Sequence, residues 1–273
     1  LRRTALPVGD LMEAAGRVEA GDYTARVAER GPREVRALTR AFNEMTERLQ
    51  KNEEQRRNLL ADVTHELRTP LTVVQGNLEA LLDGVYPPDE AHLSPILEET
   101  RVLSRLIDDL RTLALAESGA LKLQREQTDL EVLMNETAAS FQTQADAAGV
   151  ELSLSVADLP LLDIDPVRIR EVLANLIANA LRYTPRGGKI QVTGAATEKG
   201  VAVSIHDTGS GIAPEDLPHI FDRFYKSADS RGTGLGLTIA KNLVAAHGGN
   251  IIAESDGTPG RGTTIRFTLP VET

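Results

Sequence analysis

The 273-residue chain carries 30 Lys and Arg against 40 Asp and Glu, a formal net charge of −10, and no dense basic run supplies the electrostatic footprint that a nucleic-acid-binding surface needs. Without a cysteine it has no disulfide framework, no thiolate nucleophile and no Cys-based zinc site, which fits a reducing compartment. No apolar run reaches the roughly 20 residues that cross a bilayer, and the length suits about two or three folding units.

The first element begins behind Arg2 and Arg3, a pair that would suit a segment lying just inside a membrane-spanning helix on the positive-inside rule; an arbitrary start explains them equally. Val8, Leu11, Ala15 and Val18 alternate three and four apart, a short coiled-coil seam that Gly21-Asp22 stops. After a connector with Gly31-Pro32, a second seam runs through Val35, Leu38, Phe42, Met45, Leu49, Asn52, Arg56, Leu59 and Val63. So narrow a stripe buries too little to hold an isolated helix, which predicts association across a dimer axis. Asn52 and Arg56 interrupt the seam, either as a weak joint that fixes register or because the buried face shifts there.

A helical hairpin follows. Its first arm carries Leu59, Leu60, Val63, Leu67, Leu71, Val74, Leu78, Leu81 and Leu82 and ends near Gly84; its second runs from Leu93 to Leu113 and stops near Ser118-Gly119. Two arms per chain, doubled, predict a four-helix bundle. On the first arm His65 and Thr69 share one helix face, with Glu66 beside the histidine. A neutral imidazole nitrogen can attack phosphorus if a carboxylate draws off the proton on its other nitrogen, and Glu66 is placed to do so. Pro70 offers no N–H to the carbonyl four residues back, so a bend is expected beside these groups.

From about Leu121 the pattern becomes mixed α/β. Strands are predicted at Val150–Val156, Lys189–Ala195, Val201–Asp207, Asn250–Glu254 and Thr263–Leu269, and helices at Asp129–Ala148, Asp165–Tyr183 and Thr233–His247. Asp165-Pro166 is a strong helix start, since Asp accepts orphan N–H groups and Pro needs no partner in the first turn. Within that helix Glu171, Asn175 and Asn179 form a polar line flanked by apolar residues. Asn is a mediocre helix former, so the pair calls for a reason: oxygen ligands for Mg²⁺, or amides bonded to neighbouring backbone. Asp207-Thr-Gly209-Ser-Gly211 closes a strand, with a carboxylate that can accept from an exocyclic amine and glycines that let backbone approach a flat base. Gly232-Thr233-Gly234-Leu235-Gly236-Leu237 opens the next helix, whose N–H groups and positive end suit phosphates. A dinucleotide fold is excluded because the required strand-turn-helix unit with an acidic residue about 20 positions on is missing.

In Thr64-His65-Glu66-Leu67-Arg68-Thr69-Pro70 the chain resembles the phosphoacceptor motif of the sensor histidine kinases, and the hairpin resembles their dimerisation and phosphotransfer domain. Asn175-Leu-Ile-Ala-Asn179-Ala-Leu-Arg182-Tyr183 is similar to that family's N box, Asp207 to Gly211 to its G1 box with Ser210 where Asn is commoner, Phe221-Asp-Arg223-Phe224-Tyr225-Lys226 to its F box, and Gly232 to Leu237 to its G2 box. Gly260-Arg-Gly262-Thr263-Thr264 before the last strand is also family-like, and Pro7, Gly21-Asp22, Glu34 and Ala41 to Met45 resemble a HAMP linker. The resemblance implies a multidomain fold: a HAMP-like linker at 1–54, a dimerising hairpin at 55–120 and, at 121–273, an α/β sandwich that binds ATP, of the Bergerat or GHKL type.

The same resemblance implies His65 as phosphoacceptor, Glu66 as assisting acid or base, and Thr69 as positioning water for phosphatase turnover. It further implies Asn179 as the best metal ligand with Asn175 beside it, Arg182 near phosphate, Tyr183 against adenine, Asp207 on the adenine amine with Gly209 and Gly211, and Thr264 near the nucleotide. Phe221, Phe224 and Tyr225 would anchor a lid made mostly of Ser227 to Arg231, while Arg223 or Lys226 reaches the γ-phosphate. Expected cofactors and partners are ATP, Mg²⁺, a second copy of the chain and a receiver domain of a response regulator. Upstream of Leu1 a transmembrane sensor is expected, which would put this portion on the cytoplasmic face of a bacterial or archaeal inner membrane. Two other classes compete: an ATP-driven conformational machine of the same nucleotide fold, told apart by a lack of acid-labile phosphohistidine, and a scaffold with a dead nucleotide site, told apart by a lack of ATP binding.

Overall fold

The computed structural model describes residues 2–226 and 232–271, with side chains from residue 9 onward. The expected lid at 227–231, and Pro7 and Val8 as side chains, lie outside the described residues. The chain forms two compact units, 1–69 and 70–273.

The first unit holds α1 (Arg2–Glu19), a connector, and the first part of α2 (Arg33–Leu82), one continuous helix from the second seam into the hairpin. Gly21 turns the chain at φ +90°, and Asp22 accepts from the Thr24 hydroxyl at 2.5 Å and from Arg17 at 2.6 Å. Those bonds, Thr24 first, hold its carboxyl down to about 2. The connector then lies along α2, where the Asn43 side-chain amide donates to the Val27 carbonyl and accepts from its N–H at 2.8 and 3.0 Å. A small core of Ala14, Ala25, Val27 and Phe42, bordered by Leu11 and Val18, closes over this joint. Ala14 rather than Ala15 turns inward, and the inward stripe of α2 is Thr39, Phe42 and Thr46. The Thr39 and Thr46 hydroxyls are satisfied within the helix, on the Val35 and Phe42 carbonyls. Of the other seam residues, Leu38, Met45 and Leu49 stand exposed, while Val35, Leu59 and Val63 are half-buried.

In the second unit α2 ends at Leu82, and α3 (Glu90–Glu117) starts behind Asp89, whose carboxylate accepts the His92 N–H. A two-layer α/β sandwich follows: β1 (Glu126–Thr128), α4 (Leu130–Ala148), β2 (Glu151–Val156), β3 (Leu162–Ile164), α5 (Pro166–Tyr183), β4 (Lys189–Thr197), β5 (Gly200–Asp207), α6 (Gly236–Ala246), β6 (Asn250–Glu254) and β7 (Thr264–Pro270). The main sheet runs β2-β4-β5-β7-β6, with β2 parallel to β4 and the other pairs antiparallel. The parallel pair exists because the chain returns through α5, a crossover that such pairing requires. Alternate residues Val201, Val203, Ile205 and Ile265, Phe267, Leu269 are buried, as are Leu173, Leu176, Ile239 and Leu243 of the helical layer, and α5 packs on β5 and α6 on β7. β1 and β3, absent from the expected strands, pair across three residues each.

Helix α5 starts as expected: Pro166 is its first residue and the Asp165 carboxylate accepts the Arg168 N–H at 3.1 Å. That carboxylate also accepts the Gln124 N–H at 2.9 Å. The Asp165 N–H donates to Nε2 of buried His247, whose Nδ1 stands 2.7 Å from the Leu243 carbonyl. One imidazole thus ties the start of α5 to the end of α6. No helix of the described residues is long and apolar enough to cross a membrane.

Candidate nucleotide site

Three local devices converge between α5 and the amino-terminal end of α6. The first is the apolar face of α5, which buries Val172, Leu173, Leu176 and Ile177 and so turns Asn175, Asn179, Arg182 and Tyr183 toward a cleft of about 470 Å³. The second is the end of β5. Asp207 is only 6% exposed, and its Oδ1 accepts the Gly209 N–H at 2.9 Å and the Thr263 N–H at 3.2 Å. Among the described residues no hydrogen bond reaches Oδ2. Burial pushes this carboxyl's pKa upward while the two N–H donors oppose the shift. Gly209 is required by close approach, since a Cβ there would lie 2.4 Å from the Tyr183 carbonyl oxygen.

The third device is the start of α6. Its cap residue, Leu235, makes no side-chain capping bond, so the first-turn N–H groups are left with the positive end of the helix pointing at whatever occupies the cleft. The predicted helix start at Thr233 falls three residues early, because Gly234 takes φ +71° to bring the chain in. Gly234 accepts the Phe224 N–H at 3.0 Å, and Phe224 itself sits at φ +57°, the one left-handed non-Gly residue among those described. For a Phe this conformation is costly and persists only where the surroundings impose it.

The cleft gathers Asn175, Asn179, Arg182, Tyr183, Asp207, Gly211, Gly232, Thr233, Gly234, Gly236 and Leu237 of the expected residues. Gly209 and Leu235 support it from behind, and Phe221 anchors the neighbouring turn, its carbonyl accepting the Thr238 hydroxyl at 3.0 Å. Arg223 is turned to an ion pair with Glu117 at the end of α3 and is not part of the cleft wall; Phe224 and Lys226 also lie off it. Thr263, not Thr264, lines the cleft, while the Thr264 hydroxyl is 3.0 Å from His206 Nδ1. Residues outside the quoted motifs, Arg105 and Asp109 from α3 and Asp216, complete the wall together with Tyr225 of the F-box-like stretch. Tyr225 bonds Asp216, which pushes the phenol up to about 12.

Asn175 gives a test of metal fit. Its Nδ2 is buried with no hydrogen-bond partner, and its Oδ1 lies 3.5 Å from where a Cβ of Gly236 would stand. The orphan Nδ2 is a donor and calls for an acceptor such as a phosphate oxygen, while the side-chain oxygens of Asn175 and Asn179 are the hard ligands that suit a cation completing its shell with water and phosphate oxygens. Among the described residues no group of three or more His, Cys, Asp and Glu is arranged to hold a metal. In the first unit, His65 and Thr69 are exposed on α2 with Glu66 half-buried between them. The Thr69 hydroxyl reaches the His65 carbonyl at 3.4 Å.

Residues 164–273 match the family described as histidine kinase-, DNA gyrase B-, and HSP90-like ATPase, residues 55–119 the His Kinase A (phospho-acceptor) domain, and residues 1–51 the HAMP domain. The chain is 36% identical over 271 residues to the signal transduction histidine-protein kinase BaeS of Escherichia coli, covering 97% of this chain and 58% of that protein. It therefore spans a little over half the length of that relative. Among solved structures, the Acinetobacter baumannii histidine kinase AdeS is 33% identical with a TM-score of 0.67, over 77% of this chain and 98% of that one. Histidine kinase ThkA, solved in complex with response regulator protein TrrA, is 26% identical with a TM-score of 0.63, over 81% of this chain and 66% of that one.

Proposed function

The chain belongs to the sensor histidine kinases of two-component systems, and from that membership we propose that it transfers the γ-phosphoryl group of ATP to its own His65 and then to an aspartate of a response regulator. The observation that carries the reading is the uncapped start of α6 opening into the same cleft as Asn179 and buried Asp207. Asp207 Oδ2 would accept the adenine amine, the α6 N–H groups and Arg182 would hold phosphate, and Tyr183 would lie against the base. Mg²⁺, held by the amide oxygens of Asn179 and Asn175, would neutralise charge on the phosphate oxygens. His65, exposed on its helix, would present one ring nitrogen to phosphorus while Glu66 takes the proton from the other. After transfer, Thr69 would position water against the phosphorylated regulator, a phosphatase half-cycle.

The organisation that goes with this function is a HAMP-like linker at 1–54, a hairpin at 55–120 and an ATP-binding domain at 121–273. The exposed Leu38, Met45, Leu49, Leu71, Leu78 and Leu97 support a homodimer through the linker and hairpin helices. The linker supports a membrane-spanning sensor upstream, with this portion at the cytoplasmic face. Incubation with γ-labelled ATP should give an acid-labile, alkali-stable label that passes to a cognate receiver domain. His65→Gln should lose the label and keep ATP affinity; a labelled His65→Gln chain, or an unlabelled native chain that binds ATP, would overturn the proposal.

A further inference from the structure

One wall of the cleft is supplied by the hairpin. Val102, Arg105 and Asp109 stand at three- and four-residue spacing on one face of α3 and line the cavity, and α3 packs against α6. None belongs to a nucleotide-binding motif. Arg105 reaches Glu98 on its own helix at 3.4 Å, with both side chains more than half exposed, so that pairing holds it weakly. Asp109 has less company of the right sign. The charges that act on it are Glu171 on α5 and Asp108 on α3, with Arg105 the one cation among them, and burial with Glu171 pushes its carboxyl up to about 6. Glu171 is meanwhile held by Arg168 at 2.8 Å. An ionised carboxylate beside a cavity meant for several phosphates opposes their entry, and partial burial strengthens that opposition.

We propose that Arg105 and Asp109 form a charge gate contributed by α3 to the nucleotide cleft: the carboxylate opposes the triphosphate and the guanidinium favours it. The gate rests on the cleft being the ATP site. A bound triphosphate draws Arg105 off Glu98 and repels Asp109. By reciprocity, whatever changes the balance of Arg105 and Asp109 at the cleft changes nucleotide affinity, and nucleotide occupancy biases that balance. Signal from the helical region and nucleotide binding thereby meet in two side chains.

The test is calorimetric titration of the whole chain with ATP, ADP and adenosine at one Mg²⁺ concentration, in the native protein, Asp109→Asn and Arg105→Gln. Asp109→Asn should tighten ATP by about threefold to tenfold, ADP less and adenosine not at all, and Arg105→Gln should weaken ATP by a similar factor. Both differences should shrink in about 1 M salt. Asp109→Ser serves as a second variant and should repeat the charge-graded series. Equal changes for all three ligands, or none while the native chain binds ATP, would overturn the gate and leave the nucleotide site standing. A native chain that binds no ATP would overturn both.

Discussion

The α/β layer and the long helices solve burial in opposite ways. Phe267, Leu173, Ile239 and Leu243 are closed off completely within one chain, whereas Leu71, Leu78, Leu82 and Leu97 on α2 and α3 stand between 43% and 86% exposed. The sheet and its three helices specify their own geometry, so the part of the cleft they form is held in place without a partner. The helices leave their apolar stripe uncovered within the chain, and in the proposed dimer a structure completed by a partner can be re-registered. A nucleotide holder needs the first property, and a signal-bearing phosphoacceptor element benefits from the second.

The strongest way to break this contrast is to open the self-sufficient core. Phe267→Ala should cost about 3–5 kcal/mol in urea unfolding of the whole chain, and a cost below about 1 kcal/mol would show that the layer is not the rigid part. Next in size is the clasp between Phe224 and Gly234. A Cβ on Gly234 would lie 2.7 Å from Phe224 backbone atoms, while one on Gly187, also at positive φ, would meet nothing within 4 Å. Gly234→Ala should weaken ATP binding by about tenfold to a hundredfold, roughly 1–3 kcal/mol. Gly187→Ala should change stability slightly and ATP affinity not at all; equal loss in both would mean that backbone strain alone, not the clasp, matters.

On the helical side the effect should appear in association. Leu71→Ala and Leu78→Ala should each weaken self-association by about 1–2 kcal/mol, read by sedimentation equilibrium, and leave the urea transition of the α/β layer in place. A shift of that transition instead would show that these leucines serve the chain's own fold.

Local signals account for what could be read in the sequence. Asp165-Pro166 needs only its own turn to start α5, and β4, β5, β6 and β7 alternate strongly enough to be placed to within about two residues. β1 and β3 are three residues long, too short for alternation to show. Thr263 and Thr264 are told apart by strand parity, which is set by the Gly262 turn at φ +67°, and a one-residue slip swaps them. Ala14 replaced Ala15 for a related reason: the connector's position decides which side of α1 is inward. Arg105 and Asp109 were illegible because the docking of α3, not a motif, brings them to the cleft, and the Glu117 partner of Arg223 was illegible because only tertiary packing brings that pair together.

The finest test concerns the imidazole that joins α5 to α6. His247 is 2% exposed, and burial, first, with Arg125 adding to it, lowers its pKa, while the Leu243 carbonyl and Asp165 pull the other way. Protonation would place an N–H on Nε2 against the Asp165 N–H that it now accepts. The folded state therefore binds this proton less readily than the unfolded chain, whose histidine titrates near 6.5. Its contribution to stability is complete above pH 6.5 and falls as the pH drops below that value. Between pH 7.5 and 5.5 the urea midpoint of the α/β layer should decline, and His247→Gln, which cannot take up a proton, should start lower and lose less over the same interval. Parallel declines would assign the pH response to other groups and leave His247 a spacer between two helix ends.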